Sequence, residues 1–346
     1  MSRQWNNPTD FAPESLSRSK ECSSSAFRVG LLVNPHVHTF SIVARDPATG
    51  EIGVAVQSHW FSVGSVVPWG EAGVGVVATQ SFVEISYGPL GLELLKAGKT
   101  PEEALRGLLA IDPHPEVRQV AILDTQGRVA VHTGQLCIPF AGHQVGRGYA
   151  VQANLMASPE VWPAMANAFE KASGDLAERL LAALEAGQAA GGDIRGQQSA
   201  AILIVQGVST GRPWADRVME LRVEDHPDPI SELRRLVRLA RAYRYSNRGD
   251  ALIADGKIEQ ALQAYAESAR LAPEIRELAF WQAVSLANVG RIEEAQRILE
   301  EVFAAEPQWI GLLDHLPKAG LLPEDPDMVK VLKAVASSRE KGLGMG

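Results

Sequence analysis

Two short arms around one turn constrain this chain most. His38-Thr39-Phe40-Ser41-Ile42-Val43-Ala44-Arg45 runs into Asp46-Pro47-Ala48-Thr49-Gly50, and Glu51 to Ser58 returns. β-Branched and small apolar residues flank a loop that Asp-Pro opens and a glycine with positive φ closes, so a β-hairpin is expected. Neither arm alternates polar with apolar residues. Ile52-Gly-Val-Ala-Val56 is apolar toward both sides, which predicts a sheet covered on both faces.

The same reading places a buried strand over Gly73–Ser81, ending in the polar cluster Thr79, Gln80 and Ser81. Helices are expected over Leu90–Ala97 and Pro101–Ile111, the second with Thr100 as N-cap, proline in its first turn and Glu102-Glu103 at its positive dipole end. A second hairpin spans Arg118–Leu123 and Arg128–Thr133. Gly134 to Gly148, with Cys137 and His143, reads as a loop, and Tyr149–Asn154 as a strand. Helices follow from Ser158-Pro159-Glu160 to about Ala172 and over Leu176–Ala189, then strands over Ala200–Val205 and Val218–Val223. Hairpins and helix pairs are segregated rather than alternating, which indicates an α+β fold with helices on antiparallel sheets.

From about Arg234 the pattern turns helical and repeats. Gly256 and Gly290, Ala261 and Ala295, and Pro273 and Pro307 are each 34 residues apart, the tetratricopeptide period. Two units do not bury themselves, so the Arg234–Arg244 helix and the segment after Pro307 are expected to cap them. The expected organisation is a disordered polar leader over 1–37, an α+β domain over 38–228 and a helical-repeat domain over 229–346.

Composition narrows the function classes. A net charge of −8 with pI ≈ 5.6 argues against nucleic-acid and anionic-membrane partners. No apolar run approaches the roughly 20 residues that span a bilayer. Ala26 to Val33 is short, interrupted by Arg28 and without a cleavage site after it, so a secretion signal is rejected and a cytoplasmic location expected. Cys22 and Cys137 allow one disulfide but no disulfide framework. His132, His143 and Cys137 fit no standard zinc spacing, and no phosphate-binding glycine motif follows Gly70, so neither metal nor cofactor is expected.

Candidates for chemistry remain. An N-terminal threonine is nucleophile and base at once, its own amine accepting the hydroxyl proton. Thr39 also fits as a β-favouring residue opening a strand, and its amine exists only if the His38–Thr39 bond is cut or translation begins after Met1. Ser58 beside His59 shows no triad spacing and reads as structural or substrate-lining. Thr79, Gln80, Ser81 and Asn154 either satisfy local backbone or line a pocket, Asn154 as an oxyanion donor. Asp193 and Arg195 form either an exposed local ion pair or a buried network that orients a substrate or nucleophile.

Thr39-Phe-Ser-Ile-Val-Ala-Arg-Asp-Pro-Ala-Thr-Gly-Glu51, Val66-Val-Pro-Trp69, Gly73-Val-Gly-Val-Val-Ala-Thr-Gln80, Arg118-Gln-Val120, Thr133-Gly134, Ala141-Gly-His143 and Gly191-Gly-Asp-Ile-Arg-Gly-Gln-Gln-Ser199 resemble, in order, the family catalogued as domain of unknown function 1028. The resemblance covers roughly Thr39 to Val205. It implies a four-layer αββα sandwich of the N-terminal-nucleophile hydrolase kind, with Thr39 at the family's characteristic start and a tendency to pair as homodimers. Relatives begin Met-Thr, whereas 38 residues precede Thr39 here. A later start, self-cleavage after His38 and an inactive member are the three ways to accommodate that leader. Asn154 follows Gln152-Ala153 where relatives often carry Gln-Gly-Asn.

The expected function is hydrolysis of an amide or peptide through Thr39. Asn154, or N–H groups near Thr79–Ser81, would serve the oxyanion; Asp193 and Arg195 would position groups; Ser58, Thr79, Gln80, Ser81 and His143 would line the substrate site. The alternative is an inactive hydrolase-fold scaffold that binds a peptide or protein through its helical repeats.

Overall fold

The computed structural model describes residues 36–343. The leader up to residue 35 and Cys22 lie outside the described residues. The last two leader residues, expected to be disordered, are a short strand, β1 (His36–Val37). Cys137 is a buried free thiol.

The hairpin forms as β2 (Thr39–Arg45) and β3 (Ile52–Ser58), in register from Thr39 opposite Ser58 to Arg45 opposite Ile52. Asp46 closes its turn: its carboxylate takes the Ala48 N–H at 2.8 Å, its carbonyl takes the Gly50 N–H at 2.9 Å, and Gly50 has φ +78°. This hairpin is the centre of a six-stranded antiparallel sheet in the order β11 (Arg217–Val223), β10 (Ser199–Val205), β3, β2, β9 (Tyr149–Ala153), β8 (Gly142–Gly146). A five-stranded antiparallel sheet runs β1, β5 (Gly75–Phe82), β6 (Arg118–Asp124), β7 (Val129–Thr133), with β4 (Pro68–Glu71) also on β5.

Residues along each strand alternate between two buried faces, which is why the sequence shows little polar alternation. Val43, Val54, Val56, Ala150, Ala201 and Leu203 of the first sheet meet Val76, Ala78, Ala121 and Leu123 of the second. Phe40, Ile42, Val151 and Ile202 face the other way, onto helices α3 (Val161–Lys171) and α4 (Leu176–Ala189). Val77, Val120 and Ile122 pack under α1 (Tyr87–Lys96) and α2 (Pro101–Ile111). Thr100 caps α2 in a reciprocal box with Glu103.

Three expectations shift. Helix α1 starts at Tyr87, three residues early, because Pro89 falls within its first turn, where no N–H is needed. The loop expected over 134–148 contains edge strand β8, whose Gly-His-Gln-Val-Gly sequence carries no strand signal and is held by pairing with β9. The capping helix expected at Arg234–Arg244 is the first part of one 26-residue helix, α6 (Pro229–Ala254), begun by an Asp228 cap; a four-residue helix α5 (Pro213–Asp216) precedes β11. Ile230, Leu233 and Val237 of α6 belong to the core under the six-stranded sheet, and Arg234 pairs with Glu178 and Glu185 of α4. Farther along, α6 packs on α7 (Ile258–Leu271), followed by α8 (Arg276–Asn288), α9 (Ile292–Ala305), a 3-10 segment (Pro307–Asp314) and α10 (Pro326–Leu343). Gly256 and Gly290, at φ +72° and +79°, make the turns before α7 and α9, and Ala261 and Ala295 are fully buried. No helix among the described residues is long and apolar enough to cross a membrane.

One buried ion pair fixes the end of the five-stranded sheet where β1 docks. Arg118 reaches Asp112 at 2.7 Å, both side chains at most 3% exposed, and donates to the Phe82 carbonyl at 2.6 Å, while Tyr87 donates to Asp112 at 2.7 Å. Burial alone would raise the Asp112 pKa; hydrogen bonds from Arg118, the His114 N–H and Tyr87, with the Arg118 charge, outweigh it and hold the carboxyl below its usual range. A depressed carboxyl stabilises the fold fully above its unfolded pKa of about 4 and loses that contribution as pH falls through the lower folded value. Asp112→Ala leaves Arg118 buried and unpaired, so urea unfolding at neutral pH should show a loss of about 3–5 kcal/mol, with the variant less sensitive to acid than the parent.

Candidate active site

Strand alternation assembles the site. In the strands whose Val43, Val56, Ala78, Ala121, Ala150 and Ala201 fill the space between the sheets, the residues two or four positions away on the same face are Thr39, Ser41, Ser58, Gln80, Gln119, Gln152, Asn154 and Ser199. All of these are fully buried, and all lie toward one end of the sheet pair. The interior is apolar at one end and polar at the other.

Amide side chains bridge the two sheets. Gln119 Oε1 accepts from Gln80 Nε2 at 2.7 Å and from Asn154 Nδ2 at 2.8 Å. Ser41 donates to Gln80 Oε1 at 2.6 Å, and Gln152 Nε2 donates to the Ala78 carbonyl at 3.0 Å. Gln119 Nε2 donates to Thr133 Oγ1, which meets His143 Nδ1 at 2.8 Å on the exposed strand β8. Burying amides is costly unless they are paired, and this pairing holds the sheets in one relative position.

The chain enters through this network. Val37 lies on the five-stranded sheet opposite Ser81, and Thr39 begins β2 on the six-stranded one, so His38 crosses between sheets. The His38 carbonyl accepts hydrogen bonds from Ser58 Oγ at 2.6 Å and from Arg195 Nη2 at 2.9 Å. Asp193, 3% exposed, holds the guanidinium in a fork, Nε at 3.0 Å and Nη2 at 2.6 Å, and also takes the Arg195 and His59 N–H groups. Of this pair Asp193 is buried and joined to the network, whereas Arg195 keeps 29% of its side chain exposed. Thr39 Oγ1, next along the chain, is buried and has no hydrogen-bond partner among the described residues. The Thr39 carbonyl is fixed by the Asn154 N–H and Gln80 Nε2, both at 3.1 Å.

Thr39, Ser58, Gln80, Asn154, Asp193 and Arg195 are thus brought together, with His143 at the outer end of the amide relay. Asn154 meets the side chain of His38 rather than its carbonyl: its Oδ1 is 2.7 Å from His38 Nδ1. Thr79 is not in the cluster; it shares the helix-facing side of Val77, donates to the Glu84 carbonyl at 3.2 Å, and its N–H is used by Val67. Ser81 lies opposite Val37 with φ +74°, and Leu155, after Asn154, has φ +58°. Left-handed backbone at non-glycine residues costs about 1–3 kcal/mol each and gathers at sites where position matters. His38, Gln119 and Gln152 were not singled out from the sequence; a lone glutamine in an otherwise apolar buried strand is the signal that marks the last two.

His132 Nε2 meets the Pro115 carbonyl, and burial raises the Cys137 thiol pKa above its usual value, which keeps it protonated and unreactive. Desolvation, then the charge of His132, lowers the His143 pKa below the usual imidazole range.

Residues 39–233 match the model of a family of unknown function, DUF1028. The crystal structure of protein SPO2555 from Silicibacter pomeroyi, described as a DUF1028 family model, is similar with a TM-score of 0.54 and 33% identity, over 59% of this chain and 86% of that one. No curated protein matches the sequence.

Proposed function

This chain belongs to DUF1028, a family of unknown function, and on that premise we propose that it is an N-terminal-nucleophile amidohydrolase that frees its own nucleophile by cutting the His38–Thr39 bond. One observation carries the proposal: the carbonyl preceding a buried, unpartnered threonine hydroxyl is gripped by two donors, one of them cationic. Donors placed at a carbonyl oxygen before reaction stabilise the oxyanion that forms there. The layering of paired antiparallel sheets between helices supports the αββα sandwich of such hydrolases, and the 34-residue spacing of the C-terminal turns supports tetratricopeptide units.

In the first step Thr39 Oγ bonds to the His38 carbonyl carbon, and Ser58 and Arg195 hold the oxyanion. The C–N bond then breaks, and the hydroxyl proton ends on the departing nitrogen. The result is an ester between His38 and Thr39 Oγ with a free Thr39 amine. Water hydrolyses the ester to a His38 carboxylate and restores the hydroxyl. In later turnovers the amine takes the hydroxyl proton as Oγ attacks an amide or peptide substrate, and the same two donors receive the oxyanion. Hydroxylamine added to the full-length protein should divert the ester, so that mass spectrometry finds a leader ending in a His38 hydroxamate. Absence of the hydroxamate while the leader is released would rule out the ester.

A second reading has its own observation. With β1 in place Thr39 and Ser58 have no exposed surface, as in an inactive scaffold whose helical repeats bind a peptide or protein. A leader that stays attached indefinitely would favour it. In both readings the protein is proposed to be cytoplasmic and homodimeric.

A further inference from the structure

We infer that residues 36–38 mark the acyl-side subsite of this hydrolase, and that its substrates are extended peptides whose scissile carbonyl belongs to a residue with a hydrogen-bond-donating side chain. The inference rests on the proposed Thr39 chemistry and names what that chemistry acts on. Three features define the subsite, and each is built from residues after Thr39, so each outlasts departure of the leader.

The first is main-chain pairing. His36 and Val37 lie antiparallel to Phe82 and Ser81, an added strand on the edge of the five-stranded sheet. Edge addition of this kind recognises an extended backbone and is wasted on a small carboxamide. The second is the apolar seat of Val37, which is fully buried in the core between the sheets. The third is the seat of His38. His38 is buried, and its ring stands edge-on to Phe82 at 5.4 Å between centroids and puts Nδ1 at 2.7 Å from Asn154 Oδ1.

The orientation of Asn154 follows from the network. Gln119 Nε2 donates to Thr133 and to the Ala153 carbonyl, so its Oε1 faces Gln80 and Asn154 as acceptor. Asn154 therefore presents Nδ2 to Gln119 and Oδ1 to the ring, and the ring nitrogen facing it carries the proton. A buried acceptor discriminates strongly against a side chain that leaves it unpaired. Histidine satisfies Asn154, glutamine supplies an N–H donor, and leucine leaves the carbonyl oxygen buried without a partner. Asn154 is thus a specificity-determining residue. The two donors that serve the carbonyl, Ser58 and Arg195, belong to the reaction whichever side chain is bound.

The test uses the self-processed full-length protein and three fluorogenic amides: acetyl-Val-His-, acetyl-Val-Gln- and acetyl-Val-Leu-aminomethylcoumarin. On each, the Oγ–acyl bond forms as the bond to the coumarin amine breaks, and water releases the acetyl dipeptide acid. The expected order of kcat/KM is His, then Gln, then Leu, with His over Leu by at least about tenfold. Asn154→Asp retains an acceptor and should keep the preference; Asn154→Leu should level it. Equal or reversed rates for His and Leu in a Thr39-dependent amidase would overturn the subsite and leave the proposed function standing. Leader release without turnover of any of the three amides would also overturn the subsite alone. A chain that neither releases its leader nor cleaves an amide would overturn both.

Discussion

Thr39→Ala yields a protein that folds like the parent, keeps its leader and hydrolyses no amide. The folding half follows from the same fact as the catalytic half. Thr39 Oγ1 makes no hydrogen bond among the described residues, so its removal unpairs nothing there; the lost methyl group costs about 1 kcal/mol of burial, which urea unfolding can verify. Chemistry, by contrast, loses its only proposed nucleophile, and both leader release and amide turnover should fall to background. Thr39→Ser restores a hydroxyl in place and should recover both in part. Residual amidase in Thr39→Ala equal to the parent would remove Thr39 from the mechanism.

Ser58→Ala is the second large effect. Its Oγ donates to the His38 carbonyl, so truncation withdraws one of the two oxyanion donors and leaves the other. Loss of one such donor costs about 10²–10³ in rate, and the time course of leader release measured by intact mass should lengthen by that factor. The nucleophile is untouched, so release still runs to completion. Arg195 is the harder position to probe, because removing it strands the buried Asp193 carboxylate. Arg195→Lys keeps the charge, loses the fork, and should slow release with a smaller loss of stability. A Ser58→Ala chain that matured at the parental rate would show that the short hydrogen bond to His38 only positions the backbone.

Much of the α+β region was legible because its signals are local. The β2–β3 turn follows from Asp-Pro and Gly, and α4 spans the Leu176–Ala189 stretch that Leu and Ala at helical spacing mark. The two-sided apolar arms announced a sheet buried on both faces. Edge strand β8 was hidden because, apart from Val145, the glycine-bounded stretch Gly142–Gly146 does not favour extended backbone; pairing with β9 imposes it. Helix α6 starts at Pro229, ahead of the expected Arg234, because an Asp228 cap with proline in the first turn fixes its start. At the site, Thr39, Asn154, Asp193 and Arg195 were recognisable as polar residues at strand ends and a glycine turn. Their partners were not. That Gln119 joins Gln80 to Asn154, or that Asn154 faces an imidazole instead of a carbonyl, depends on how two sheets distant in sequence are stacked. Thr79 and Gln80 show the limit of reading clusters: adjacent strand residues point to opposite faces, so only Gln80 reaches the site.

Self-release of Thr39 is the claim on which the rest depends, and the intact mass and N-terminal sequence of the full-length protein, followed over time after purification, test it most directly. The account predicts conversion to a chain beginning at Thr39, with the leader recovered as a fragment ending at His38. A chain that keeps the His38–Thr39 bond throughout, in a folded protein, would contradict it.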